Sequence, residues 1–393
     1  MYVLTEGEAE DAARMLDEAW NAAETFVYVP RHTGAGAEWV SGALQTLPPA
    51  LQTDHFALLT SGSTGQPKLV VGAKRRAEDL ARALHLAQDS EPVRQTVVTL
   101  PLTYCYAFVN QWLWARVHGR ELVLTSGFSH PDELKRTLSE ANDAMLCMVG
   151  AQVPLLEQNL AGSVFPGVRR LHFAGGRFPQ DKLATLSGFF PNAEVYNNYG
   201  CTEAMPRLTL RRAEASPVAS NIGAPLPGVE LSIGDGDALL FRSPYGSVGY
   251  VDGDGFHAVA DADWTPTGDL ARQAEDMTWE LLGRANEVFK RYGEKVSLPA
   301  LQSALAERWP GQVAFYRETD STGELGHVLV VAPTPTPEDV REMQRALRAH
   351  FTRAHWPLRI ESVETLPRLA NGKIDSLSLG QSGEKQVHWR QHI

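Results

Sequence analysis

From about residue 54 to residue 200, short apolar runs alternate with stretches of helical period. The runs Phe56–Leu59, Val97–Leu100, Leu122–Thr125, Met145–Val149, Arg170–Ala174 and Glu194–Asn197 read as strands. Between them, Arg75–Leu86, Val109–His118, Pro131–Glu140 and Gln180–Phe189 place apolar residues three and four apart, as helices do. Alternation of the two predicts an α/β fold with a mostly parallel sheet. An amphipathic helix over 7–24, with Ala12, Met15, Leu16, Ala19 and Trp20 on one face, precedes it.

The texture changes after about residue 215. Gly228–Ile233, Ala238–Arg242, Gly249–Val251 and Trp279–Leu282 are short strands between Gly, Asp and Pro turns, which predicts a small antiparallel sheet or barrel. Asp252-Gly253-Asp254-Gly255 lacks the spacing and the final glutamate of a calcium loop and reads as a turn. From 297 the order is helix Pro299–Trp309, strands Gln312–Arg317 and Gly326–Ala332, helix Pro337–Phe351 and strand Arg359–Val363. The Pro333–Pro337 run is a stiff lead into that second helix. The expected organisation is a large N-terminal domain (1–283, β-rich from about 215), a small mobile α+β C-terminal domain (284–380) and a loose polar tail (381–393).

A net charge of 36 − 47 = −11 argues against nucleic acid or an anionic membrane surface as partner. No apolar run approaches the roughly 18 residues of a membrane span, and the acidic, helix-patterned start is unlike a signal peptide. The three cysteines, Cys105, Cys147 and Cys201, form no C-x-x-C pair, so neither a zinc site nor a disulfide framework is expected, and a reducing cytoplasm is. An acidic chain that handles phosphates has to build a local basic site.

The strand Phe56–Leu59 runs into such a candidate: Thr60-Ser61-Gly62-Ser63-Thr64-Gly65-Gln66-Pro67-Lys68. Gly62 and Gly65 let the backbone approach a ligand closely. Ser61, Ser63 and Thr64 offer hydroxyls, backbone N–H groups can donate to phosphate oxygens, and Lys68 adds a positive charge. The spacing is not that of a Walker A loop. Alone, the stretch can also be read as a polar surface turn.

Four further segments follow in order: Asn197-Asn198-Tyr199-Gly200-Cys201-Thr202-Glu203-Ala204, Thr267-Gly268-Asp269, Gly283-Arg284-Ala285-Asn286-Glu287-Val288-Phe289-Lys290, and Leu366-Pro367-Arg368-Leu369-Ala370-Asn371-Gly372-Lys373-Ile374-Asp375. With the first loop, they resemble the adenylate-forming superfamily of acyl- and aryl-CoA synthetases, nonribosomal-peptide adenylation domains and luciferases, over roughly residues 54–379. The resemblance implies ATP as cosubstrate, with Thr60–Lys68 cradling its β- and γ-phosphates. Gly175 and Gly176 would border adenine and the acid, and Tyr199, between Asn198 and Gly200, would cover the other purine face. Thr202 would contact the α-phosphate, Glu203 would hold Mg²⁺, Asp269 and Arg284 would take the ribose, and Lys373 would act on carboxylate and α-phosphate in the adenylation step. Such chemistry accumulates negative charge on both reactants, so placed cations are its main device and no general base is required.

The same resemblance implies a small carboxylic acid as substrate and CoA or carrier-protein phosphopantetheine as thiol acceptor. Asn286 would be the hinge, where the pattern has Asp or Lys; a homodimer is allowed. Relatives carry a longer segment before the phosphate loop, so a reduced N-terminal region is expected. Tyr104 stands where many CoA ligases have histidine. With Tyr106, Phe108 and Cys201, it suggests a flat pocket for an aromatic or unsaturated acid; plain core packing is the alternative. Amide formation or nitrite-activating diazotisation of an arylamine would keep the ATP site and change the acceptor. A non-catalytic nucleotide-binding scaffold would keep the nucleotide and lose the reaction.

Overall fold

The computed structural model describes residues 1–7, 9–31, 36–60, 68–306, 308–368, 374–381 and 385–391. By internal contacts the chain forms two units, Met1–Thr267 with Ala271–Leu281, and Gly268–Leu270 with Leu282–Ile393.

The first unit is built on two sheets. One has six strands in the order Tyr2–Thr5, Phe26–Val29, His55–Thr60, Lys68–Ala73, Gly249–Asp252, Gly255–Ala258. Its first three strands are parallel and the rest antiparallel. Parallel neighbours need a crossover, and helices Ala9–Asn21 and Gly36–Gln45 supply the two. The Asp252–Gly255 segment is the turn between the last two strands, with Asp252 accepting from the Asp254 N–H at 3.0 Å, as its composition predicted.

The second sheet has eleven strands. Glu121–Leu124, Gln95–Val98, Ala144–Met148, Val168–Phe173 and Glu194–Tyr199 are its parallel part. Thr209–Arg212 and Asn221–Pro225 extend it antiparallel, followed by Trp279–Arg284, Thr265–Gln273, Ala238–Arg242 and Glu230–Ile233. The mixed α/β class is therefore as expected. The strands between residues 215 and 284 are divided: most extend the large sheet, while the Gly249–Ala258 hairpin joins the six-stranded one.

Side-chain alternation gives each sheet two buried faces. Phe56, Leu58 and Val70 enter the main core, whereas Ala57, Leu69 and Val71 pack with Val40, Ala43 and Leu44 of helix Gly36–Gln45. In the larger sheet Met145 and Cys147 face the main core, and Leu146, Met148, Leu171 and Phe173 face the opposite one. Trp20 lies 5.2 Å from Phe56 and 5.3 Å from Trp112, ring centre to ring centre. Each such side chain contributes about 1.5–3 kcal/mol of burial. The helix that carries Trp20 is anchored by a buried cation: the Lys74 ammonium donates to the carbonyls of Ala19, Trp20 and Ala22, oxygens that the helix end leaves open.

In the second unit, strands Gln312–Thr319, Leu325–Ala332, Arg359–Ser362 and Gln386–Arg390 form one sheet in that order. Helices Leu298–Ala306 and Pro337–His350 pack their apolar faces on it through Leu301, Leu305, Met343 and Leu347. Thr336 caps the second helix, accepting from the Asp339 N–H while Asp339 accepts from the Thr336 N–H at 2.8 Å. The tail expected to be loose is a strand at residues 386–390. It pairs antiparallel with Arg359–Ser362, and Trp389 packs against the core that holds Ile360. Its polarity suits an edge strand whose outer side is wet, so reading polarity as looseness missed it. Among the described residues, no helix is long and apolar enough to cross a membrane.

Candidate functional site

The first unit brings Lys68 and Glu203, 135 positions apart in sequence, to 2.9 Å from Nζ to Oε1. Lys68 starts a strand whose register partner is Thr60, the last residue of the preceding strand. Glu203 sits in the short 3₁₀ turn Thr202–Ala204 that follows strand Glu194–Tyr199. Gly200 makes that turn possible: a Cβ there would lie 1.8 Å from the Pro206 carbonyl oxygen. The Glu203 carbonyl in turn accepts the Ser247 N–H at 2.8 Å, which fixes the turn against its neighbour.

The Lys68 ammonium has a second contact, 3.8 Å over the ring of Tyr250. Both members of the ion pair keep about a quarter of their side-chain surface in water, so the pair itself adds little stability. A cleft beside Glu203 is lined by Arg76, Arg242, Gly246, Ser247 and Asp261. Arg242 lies 4.3 Å over Trp264, and Arg76 meets Asp261 at 2.6 Å. Lys68, Arg76 and Arg242 thus gather at one edge together with the carboxylates of Glu203, Asp261 and Asp263. One carboxylate suits Mg²⁺, which takes most of its ligands from water and substrate phosphates. The Lys68 ammonium seated on Glu203 shows that this position accepts a cation.

Other predicted residues fall in different places. Gly175 has φ +76°, a conformation natural to glycine, at the end of strand Val168–Phe173, and a Cβ on Gly176 would meet open space. Tyr199 is buried and Cys201 half-buried. The Asn198 side chain is directed inward, Nδ2 lying 3.3 Å from His172 Nδ1 and 3.5 Å from the Tyr106 hydroxyl. Phe108 is fully buried among Phe56, Trp20, Tyr28 and Trp112, so core packing is its role rather than a pocket wall. Tyr106 is buried, and Tyr104 is half-buried with its phenol pushed up to about 12 by burial and then by the Glu6 charge.

In the second unit, Asp269 is buried and receives Arg284 Nε at 3.0 Å; Gly268, with φ +79°, makes the turn before it. Asn286 lies in the turn Ala285–Glu287 directly after Arg284. Ser61, Gly62, Ser63, Thr64, Gly65 and Lys373 lie outside the described residues.

Two residues beside the predicted ones escaped the sequence reading. Tyr250 meets Lys68 only because strands Gly249–Asp252 and Lys68–Ala73 are neighbours. Arg207 stands in the apolar run Met205–Leu210, where a lone charge was the available signal.

The AMP-binding enzyme family model matches residues 3–251, more than half of the chain. The chain belongs to that family. This AMP-binding enzyme is 27% identical to the non-ribosomal peptide synthetase CmlP of Streptomyces venezuelae over 84% of its own length, and it spans 34% of that synthetase. It is 25% identical to the D-alanine–D-alanyl carrier protein ligase of Staphylococcus haemolyticus, over 81% of this chain and 69% of the ligase. In fold it resembles the o-succinylbenzoate CoA synthetase of Bacillus subtilis solved with its acyl-adenylate, with a TM-score of 0.78 at 17% identity, covering 98% and 88% of the two chains. Lys68 and Glu203 of the AMP-binding enzyme lie inside the matched segment; Asp269, Arg284 and Lys373 lie beyond it.

Proposed function

We propose that this AMP-binding enzyme activates a carboxylic acid with ATP and passes the acyl group to the thiol of CoA or of a carrier protein's phosphopantetheine. The convergence of Lys68 and Glu203 on one edge of the first unit carries this reading. In the first step a carboxylate oxygen of the acid bonds to the α-phosphorus of ATP while the bond to the pyrophosphate oxygen breaks. The products are acyl-AMP and pyrophosphate. In the second, the thiolate sulfur bonds to the acyl carbon and AMP leaves.

Lys68 would move from Glu203 to the phosphates, a short shift of a flexible side chain. Glu203 would then be free to hold Mg²⁺, which when bound neutralises charge on the phosphate oxygens. Thr202 would donate to the α-phosphate and Asp269, with Arg284, would receive the ribose. Lys373 is assigned the charge that develops on carboxylate and α-phosphate, and Asn286 the hinge. The domain boundary near residue 283 and the carrier-protein partner belong to the same proposal. The acceptor is supported by the carrier-protein ligase among the relatives. An aromatic or unsaturated acid now rests on Tyr104 and Tyr106, since Phe108 is occupied in the core.

Acid-dependent release of pyrophosphate from ATP is the test. Lys373→Ala is expected to lower it roughly 10²–10³-fold, the usual cost of removing one group that stabilises developing charge, while ATP binding persists. Undiminished release in that variant would sink the assignment.

A further inference from the structure

Arg207 lies four residues beyond Glu203 and is 1% exposed. Its Nη2 donates to Asn110 Oδ1, and its guanidinium rests 5.6 Å from the centre of the Tyr106 ring. Nη1 is buried without a hydrogen-bond partner, and among the described residues no carboxylate reaches it. Two neighbouring polar atoms, Asn198 Oδ1 and His172 Nε2, are also buried and unpartnered. His172 Nδ1 faces the Asn198 amide nitrogen and accepts from it, so the ring proton sits on Nε2 as a second open donor.

No member of this cluster supplies a negative charge. Burial, followed by the charges of Arg207 and Arg170, keeps His172 neutral. Burial pushes the Cys147 thiol up to about 12 and holds the Tyr106 phenol protonated. A lone buried cation is costly. Two other buried arginines are met by several oxygen acceptors each. Arg211, two strand positions after Thr209, donates to the carbonyls of Asn221, Ala213, Ser216 and Val218 and to Gln180 Oε1. Arg170 donates to the Gln88 and Asp89 carbonyls.

The helix over the cluster departs from regularity at the same place. Residues Phe108–Leu113 are π-helical, and Asn110, the acceptor for Arg207, lies inside that widened turn. Widened turns of this kind are concentrated at functional sites.

We infer that Arg207 is the counter-ion for an oxyanion group of the acid substrate, with His172 Nε2 as a second donor to it. The inference rests on the adenylation reading and sharpens its substrate class. The group is a carboxylate from one of two sources: the distal end of a dicarboxylic acid, or the carboxylate that is itself activated. An acid with an apolar far end leaves Arg207 unsatisfied in the first case and is accepted in the second.

The test uses the full chain with butyrate against succinate and benzoate against isophthalate, in wild type, Arg207→Met and Arg207→Lys. Pyrophosphate release and thermal shift without ATP are read in parallel. A charged hydrogen bond of ordinary strength corresponds to at least about a tenfold change. If the distal group is bound, wild type prefers the diacid by that factor, Arg207→Met loses the preference and Arg207→Lys keeps part of it. If the reacting carboxylate is bound, Arg207→Met loses mono- and diacids equally. In both cases the ligand-free Arg207→Met protein melts no lower than wild type, because an uncompensated charge has been removed. A lower melting temperature together with unchanged acid kinetics and unchanged acid-induced thermal shift would show a structural arginine and overturn the inference. Failure of every acid to release pyrophosphate, with thermal stabilisation by diacid still lost in Arg207→Met, would refute adenylation and leave the anion site standing. No acid-induced shift in wild type and no acid preference would refute the site.

Discussion

Among the described residues, each unit holds one arginine with almost no exposed surface, and the two are finished differently. Arg291 in the second unit meets Asp320 at 3.1 Å, with neither side chain exposed, so its charge is compensated although its Nε, too, lacks a hydrogen-bond partner. Asp320 is itself tied to the Thr322 hydroxyl and to the Tyr292 hydroxyl, and its carboxyl is held down to about 2, first by the Thr322 hydroxyl. Arg207 in the first unit has an amide and a ring face and, among the described residues, no carboxylate. A closed pair of charges explains itself as structure. An open one, kept at a cost to stability, asks for a ligand.

Breaking the closed pair gives the largest effect. Asp320→Ala leaves Arg291 buried and uncompensated, and roughly 3–5 kcal/mol of stability should vanish, read as a lower urea midpoint. A loss below about 1 kcal/mol would place Arg291 and Arg207 in the same class and dissolve the contrast. Arg207→Met is the counterpart, expected to leave stability equal or higher.

Acid sharpens the comparison next. His327, in the core of the second unit against Phe289 and Phe315, is pushed down to about 3, chiefly by burial and then by the Arg291 and His355 charges. It stays neutral in the fold, while the unfolded chain takes up a proton near pH 6.5. The stability it contributes is therefore complete above about pH 6.5 and drains as pH falls toward 3, at up to about 1.4 kcal/mol per pH unit. His327→Phe should flatten the urea midpoint between pH 7 and pH 5, and an unchanged slope would contradict its neutral state.

The smallest effect on stability belongs to the exposed pair. Lys68→Met should cost under about 1 kcal/mol of stability yet weaken ATP-dependent pyrophosphate release if, as proposed, its charge serves the phosphates. A large loss of stability with intact release would make the Lys68–Glu203 pair structural, like Arg291–Asp320.

Much of the scaffold was readable from local pattern, since apolar alternation and caps are written in adjacent residues. The helix Pro337–His350 announces itself through Thr336, Pro337 and Asp339, and the strands between residues 54 and 200 through runs that the sheets bury on both faces. Glu203 and Lys68 were singled out through the order of their motifs, and the fold brings them together. What was missed depends on contacts distant in sequence. Arg207 is defined by Asn110 and Tyr106, Tyr250 by a strand neighbour, and Phe108 by a ring cluster assembled from several elements. The strand Gln386–Arg390 escaped because one aromatic, Trp389, supplies its apolar anchor.

The six-stranded sheet opens with the second residue of the chain and closes with the strand Gly255–Ala258. During synthesis, four of its strands are therefore complete long before the two that cover their edge. For that interval the nascent chain presents the unpaired backbone of Lys68–Ala73, the strand that bears Lys68.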